Sequence, residues 1–444
     1  MILALLLGTL VAPQDTGRLS LHDAVAAAIG SYPAVAVAQA QVDQAEANIG
    51  VARAALAPDV RLDASLMRYQ EPMIVYPLHS LNLISPPVFD RTLVQPGVSV
   101  SYTLYDFGAR AARIVAAGAQ HDAAMTGVDA TVQQVVARTA AAYLRVLASR
   151  DRMAAGDQDV AAVRAEVDRA RKRFDAGKAA QLEVLRAEAE LQRALADDLT
   201  SVDDLDLAER QLALVTGLPV HSVHGARLVA LRLTDTTLMA DSADSGRAAL
   251  VARALSRNPD AVAAEDRARA ARATASAARA MASPKIQASG AYLSPGSING
   301  NFHPDWQVGV MMSYALFTGG ATSSAVDAAD AVARAATQTV RLVQLTAVSA
   351  VDQALATLHD AHARVSALES AEARSAEVVR IEALSRDVGE GTQTDYLTAT
   401  ADLLRTRVTL IDARHAEVLA RIDLAAITGE LSPEWLDRTV EPQP

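Results

Sequence analysis

The chain contains no cysteine. That absence excludes disulfides, cysteine-ligated metals and lipidation through an N-terminal cysteine, and it leaves the compartment open. Aromatic residues are scarce, at 4% of 444 residues, although apolar residues reach 51%. Alanine makes the difference, with valine and leucine behind it. Ala-rich sequence dotted with Arg, Glu and Asp reads as long packed helices. A basic excess is also missing. The net charge is −11, whereas a nucleic-acid partner would call for a positive footprint. Beyond the N-terminus no clean run of about 18 apolar residues occurs, so no transmembrane helix is expected. The opening MILALLLGTLVAPQD is apolar from Ile2 to Ala12. It is too short to span a bilayer and reads as a signal peptide, residues 1–12, with cleavage after Ala12. No Lys or Arg precedes the run and Leu10 is not small, so a buried N-terminal segment or a misassigned start codon is the alternative.

What is present is said twice. AAAIGSYPAV pairs with ARALSRNPDAV, placing Pro33 on Pro259. LAPDVRLDAS pairs with MASPKIQASG, placing Pro58 on Pro284 at the same offset of 226. SYTLYDFG then pairs with SYALFTGG, setting Tyr102 on Tyr314, and the blocks around Gly177 and Gly389 match at that same offset of 212. LVTGLP and AITGEL set Gly217 on Gly429. Five collinear blocks indicate an internal duplication. The single change of offset puts 14 extra residues between Pro58 and Tyr102, read as an enlarged surface loop within QEPMIVYPLHSLNLISPPVFDRTLVQP. The organisation expected is repeat 1 over 18–217, a linker over 218–246, repeat 2 over 247–431, and a tail over 432–444. The Pro-ended tail reads as partly disordered.

Each repeat has one grammar. A short helix ends at a proline and a second helix runs to the next proline. A β-hairpin follows (58–107 or 284–317), then a helix over Ala109–Ala176 or Ala321–Val388. A glycine turn reverses it near 177 or 389, and a shorter helix returns. About 68 residues at 1.5 Å each make a helix of roughly 100 Å, which needs partners along its whole length. Leu397, Leu404, Val408, Ile411, Val418 and Ile422 carry heptad spacing in the last returning helix.

The strand segments alternate with period two. Val60, Leu62, Ala64 and Leu66 oppose Arg61, Asp63 and Ser65. Val98, Val100, Tyr102 and Leu104 oppose Ser99, Ser101 and Thr103. Ile286, Ala288 and Tyr292 oppose Lys285, Gln287 and Ser289. Val308, Val310, Met312, Tyr314 and Leu316 oppose Gln307, Gly309 and Ser313. One apolar and one wet face suits a sheet packed on helices, and it equally suits a membrane barrel. The aromatic residues favour the barrel. Segments 58–108 and 284–317 hold 11 of the chain's 16 aromatics, and Tyr69, Tyr102, Tyr105, Phe107, Tyr292, Trp306, Tyr314 and Phe317 fall near strand ends, as an interfacial girdle requires. Four strands cannot close a barrel, for which about eight are needed, and lipid tolerates no open edge. Identical copies must contribute. The fold class expected is therefore mostly α with a small membrane β-barrel contribution: a long α-helical coiled-coil barrel plus 4 β-strands per protomer, closed as a homotrimeric 12-stranded barrel.

The ordered set LSLHDAVAAAIGSYPAV, ALAPDV, YTLYDFG, YALFTGG, GKAAQLEVLRAEAEL and GEGTQTDYLTATADL resembles the TolC-like outer membrane factor family over nearly the whole chain. The resemblance implies a trimeric outer-membrane channel with a helical tunnel in the periplasm. It implies a role as passive duct in a tripartite efflux pump or a type I secretion system. The implied partners are a periplasmic adaptor protein, an inner-membrane pump of RND, ABC or MFS type, and outer-membrane lipid; no cofactor is implied. It places the adaptor-docking tips at Gly177 and Gly389, with Arg173, Lys178, Gly391 and Thr392 beside them. Asp395 matches the first acid of the family's gate motif, while Thr398 stands where a second acid is usual. Glu183 holds the equivalent position in repeat 1. A ring of such carboxylates would draw cations and close the tip; the plainer reading of both is an acid at a helix start. The family's linker and tail wrap the middle of the tunnel.

Other signals carry less. His359 with His362, and His221 with His224, have ligand-like spacing but no third ligand, and read as solvated. No nucleophile elbow, phosphate loop or paired carboxylate constellation is present, so an enzyme is not expected. The competing function is a soluble periplasmic coiled-coil adaptor or scaffold.

Overall fold

A computed structural model describes residues 17–75, 84, 87–233, 244–388 and 390–442. The expected signal peptide and Gly389 lie outside the described residues. The chain divides into two compact units, each assembled from both repeats: Met1–Ala38, Val128–Ala261 and Gln344–Pro444 form one, and Gln39–Gly127 with Val262–Val343 the other.

In chain order the first repeat supplies β1 (Arg18–Leu19), α1 (Leu21–Ser31), α2 (Pro33–Ala54), β2 (Asp59–Ile74), β3 (Phe89–Tyr105), α3 (Ala109–Asp175) and α4 (Gln181–Thr216). A connecting stretch holds α5 (Val220–Gly225), β4 (Arg227–Leu228) and β5 (Leu231–Leu233). The second repeat supplies α6 (Asp244–Arg257), α7 (Pro259–Met281), β6 (Lys285–Leu293), β7 (Gly296–Ser297), β8 (Asp305–Ser313), α8 (Ala321–Val388) and α9 (Gln393–Ile427), followed by α10 (Pro433–Thr439) and β9 (Val440–Pro442). The breaks obey local chemistry. Ser20 caps α1 in a reciprocal box with Asp23, and α2 and α7 both begin on a proline, whose missing N–H costs nothing in a first turn.

The two returning helices end alike. Gly217 closes α4 at φ 69° and Gly429 follows α9 at φ 72°. Each sits against the end of its own repeat's first helix. Ser31 Oγ donates to Thr216 O at 2.8 Å, and Asn258 Nδ2 donates to Ile427 O at 3.1 Å. A Cβ on Gly429 would stand 2.3 Å from the Arg257 carbonyl oxygen, so only glycine fits.

The core of this helical unit centres on Leu144, Leu212, Ile422, Leu431 and the fully buried Tyr143. The Tyr143 hydroxyl accepts from the Val229 N–H at 2.8 Å and lies 2.8 Å from Leu19 O, tying the connecting stretch to β1. Burial pushes its pKa up to about 12. Arg150 donates to Ala226 O at 2.8 Å and to the buried Glu209 at 2.6 Å, and Glu209 also meets His224 Nδ1 at 2.6 Å. The tail departs from the disorder expected of it. Ser432 caps α10, Trp435 and Leu436 enter the core, and β9 pairs antiparallel with β5. Two buried apolar side chains and a strand partner outweigh the chain entropy that a proline-rich end would otherwise keep.

The other unit carries an antiparallel sheet in the order β2-β3-β6-β8, with β7 paired to β3 beyond the end of β6. The sheet thus has a short fifth strand that sequence reading did not include. The 14 extra residues of repeat 1 also behave differently from a loop insertion. β2 and β3 have 16 and 17 residues, against 9 each for β6 and β8, so the insertion chiefly lengthens the hairpin. Its turn lies largely outside the described residues. β8 ends at Ser313, leaving Tyr314 and Leu316 beyond the ladder. The reason is its partner: Lys285 pairs Ser313, and Pro284 before it has no N–H to continue.

Candidate functional site

Two hairpin ends and one sheet hold the residues picked out from sequence. At the first hairpin end, α3 closes in a Schellman arrangement. The N–H of Gly177, at φ 68°, bonds Phe174 O at 2.8 Å, and the N–H of Lys178 bonds Arg173 O at 2.8 Å. Lys178 is exposed and Arg173 half-buried. Glu183 lies in the first turn of α4, where Ala180 offers no side-chain cap. At the second end, the N–H groups of Glu390 and Gly391 bond Ser385 O at 2.9 and 3.0 Å. A Cβ on Gly391 would approach the Arg386 nitrogen and Ser385 side chain to about 3.0 Å, which favours glycine there. Thr392 caps α9. Its hydroxyl accepts from the Asp395 N–H at 3.1 Å and donates to Asp395 Oδ2 at 2.6 Å. Within one chain, therefore, the Asp395 carboxylate is already engaged as a capping partner while staying exposed.

Sequence reasoning missed the group that lies under this second turn. Arg386, in the last turn of α8, is buried and donates to the equally buried Glu166 of α3 at 2.7 Å. Its guanidinium stacks 4.0 Å from the centroid of Tyr396, in the first turns of α9. Arg169 of α3 bonds Asp387 at 3.0 Å, and Arg186 of α4 donates to Thr394 of α9 at 2.9 Å. The two hairpins are thus clasped near their turns. The clasp is incompletely satisfied: Glu166 Oε1 and Arg386 Nε are buried without hydrogen-bond partners. A half-satisfied buried ion pair is costly to keep and easily traded for water. No sequence signal marked it. An Arg in a helix's last turn is ordinary, and Glu166 is one acid among many.

A groove of about 870 Å³ lies between α3 and α4 on one side and α9 on the other. Carboxylates of Asp159, Glu190 and Asp197 and guanidinium groups of Arg152, Arg186 and Arg405 line it. Burial, aided by Glu190 and Asp197, raises the Asp159 pKa above the usual carboxylate range. The histidines play smaller parts: His362 meets Glu417 at 2.7 Å and is half exposed.

Among the described residues most of the sheet's apolar side chains are exposed. Leu62 is 80% exposed, Trp306 73% and Val308 77%, and the register keeps Leu62, Val98, Tyr292 and Trp306 in one cross-strand row. Tyr102, Tyr105, Phe107, Tyr314 and Phe317 cluster at the helix-proximal end, with Tyr105 and Phe107 edge-to-face at 4.8 Å. Six residues of β6 separate the Ile286 and Tyr292 levels, or roughly 20 Å at strand rise. Tyr69 is not in the Tyr292–Trp306 row, since it lies seven residues past Leu62 on the lengthened hairpin. Among the described residues no single helix is long and apolar enough to cross a membrane.

Paired helical hairpins of this length, each fed by a β-hairpin with a bare apolar face, define an outer-membrane channel architecture. The chain belongs to the Outer membrane efflux protein family, whose family model matches residues 24–218 and 250–430. It is 26% identical to the outer membrane protein TolC of Vibrio cholerae, across 89% of this chain and 87% of that protein. It is 25% identical to the outer membrane efflux protein BepC of Brucella suis, across 97% and 90%. The fold superposes on the crystal structure of the outer membrane protein VceC from Vibrio cholerae with a TM-score of 0.79 at 19% identity, covering 92% of this chain and 96% of that one.

Proposed function

We propose that three copies of this chain form a passive exit duct in the outer membrane, serving a tripartite efflux pump or a type I secretion system. The sheets close a 12-stranded barrel across the outer membrane, and the helical hairpins form the periplasmic tunnel. The observation that carries the reading is the sheet. Its apolar face is bare, and its outer strands β2 and β8 each have one unpaired edge. Hydrocarbon accepts such a face but not such edges. Copies of the same chain satisfy both conditions at once.

The periplasmic end is the gate. Arg173, Gly177, Lys178, Gly389, Gly391 and Thr392 form the tips to which an adaptor docks, and the groove beside Asp159 and Arg405 extends that surface. Docking would supply contacts made only in the open state, as a population shift requires. Opening separates α8 and α9 from α3, so the Arg386–Glu166 clasp holds the closed form. Energy comes from the inner-membrane pump. Planar-bilayer recording tests the duct: stepwise conductance is expected, and a protein that stays soluble without detergent and never conducts would instead be a periplasmic scaffold. In the same recordings Asp395→Ala should weaken block by divalent cations. Unchanged block would leave Asp395 with its capping role alone.

A further inference from the structure

We propose that the inner, polar side of the sheet carries an anion-binding shelf at its junction with the helices, formed around Arg113 and Lys285 and selecting multivalent anionic solutes in the lumen. The inference rests on the duct reading for its location.

A cavity of about 740 Å³ opens where β2, β3 and β6 meet the helices, within one compact unit. Four cations line it, Arg61, Arg110, Arg113 and Lys285, against two carboxylates, Asp59 and Asp106. The carboxylates are spoken for. Asp59 pairs with Arg61 at 2.6 Å, and Asp106 with Arg110 at 3.0 Å. Arg113 reaches only a neutral partner, Met281 Sδ at 2.9 Å, and Lys285 makes no ion pair among the described residues. Two uncompensated positive charges therefore share one recess in a chain whose net charge is −11.

The remaining lining suits an anion. Ser101, Thr103 and Gln287 bring neutral side-chain donors to the cavity, and Pro58 and Pro284 close it with apolar surface. A recess with low-dielectric walls strengthens attraction to a charged solute.

The register fixes which side this is. Asp59 pairs with Ser101, Ser101 with Ser289, and Thr103 with Gln287, so the polar strand residues of the lining share the face opposite Val100 and Ala288, while Val60 reaches only its edge. A lipid headgroup would have to reach the apolar side, which excludes it as the occupant. Soluble phosphate- or carboxylate-bearing solutes passing through the duct remain. With three copies the shelf becomes a ring of six uncompensated cations, counted as two per chain.

Isothermal calorimetry with pyrophosphate on the detergent-solubilised full chain tests the shelf independently of conduction. R113Q/K285Q should weaken pyrophosphate binding at least about tenfold, since two charge-assisted contacts are lost, while R113K/K285R keeps it. In bilayers under a potassium chloride gradient, the Gln variant should shift permeability toward potassium by about twofold or more, as fewer positive charges line the path. Equal pyrophosphate affinity in the wild type and R113Q/K285Q would overturn the shelf. A wild type that binds pyrophosphate but never conducts would contradict the duct reading instead.

Discussion

Single residues carry two separable kinds of requirement here. Gly429 is geometric: positive φ combines with a carbonyl oxygen where a Cβ would go. Gly429→Ala should destabilise by about 2 kcal/mol or more, from left-handed strain plus overpacking. Gly177 also has positive φ but open space around it, so Gly177→Ala should cost only about 1 kcal/mol. Thermal unfolding midpoints compare the two directly, and equal losses would refute the packing argument. Arg386 is electrostatic. Removing it leaves Glu166 buried at 2% exposure with only the longer 3.6 Å contact to the half-exposed Arg169, a cost of about 2 kcal/mol where the site stays dry. If the clasp holds the closed form, Arg386→Gln and Glu166→Gln should each raise single-channel conductance several-fold. Wild-type conductance in both variants would reduce the clasp to a packing detail.

At the scale of elements, the proline-bounded helices, the glycine turns and the strand alternation were legible because each rests on local chemistry. Pro33 and Pro259 each begin a helix, and the period-two patterning holds along the ladders as far as Thr103 and Ser313. What local chemistry does not specify was missed. The tail's order depends on β5 and on Leu436 finding the core, which are contacts across the chain. The insertion became strand because β2 and β3 pair with each other past the end of β6, a matter of register. The Arg386–Glu166 clasp joins helices more than two hundred residues apart, beyond any spacing rule. The groove between α4 and α9 offers a pH test. Asp159 is held above its ordinary pKa by burial and like charges. An acid raised on folding penalises the folded state once both states are ionised, and that penalty fades as pH falls through the folded value. Asp159→Asn should therefore raise the unfolding midpoint at pH 7.5, and the gain should vanish near pH 4. A constant gain across that range would point to lost groove contacts instead.

For the whole molecule, the family and the hairpin architecture follow from the sequence pattern, whereas assembly is a question of closure. Among its described residues one chain offers four long strands, two open edges and an exposed apolar face. The apolar face is unfavourable in water and the open edges are unfavourable in lipid; in the proposed assembly neighbouring copies pair the edges and hydrocarbon covers the face. Leu199 and Leu207 on α4 and Leu342 and Leu345 on α8 are also exposed, and the proposed trimer would cover such surfaces with neighbouring copies. The most direct measurement is the protein mass of the mature assembly extracted in detergent, by native mass spectrometry or light scattering. The account predicts three chains in one detergent-dependent particle; a monodisperse single chain in plain buffer would contradict it.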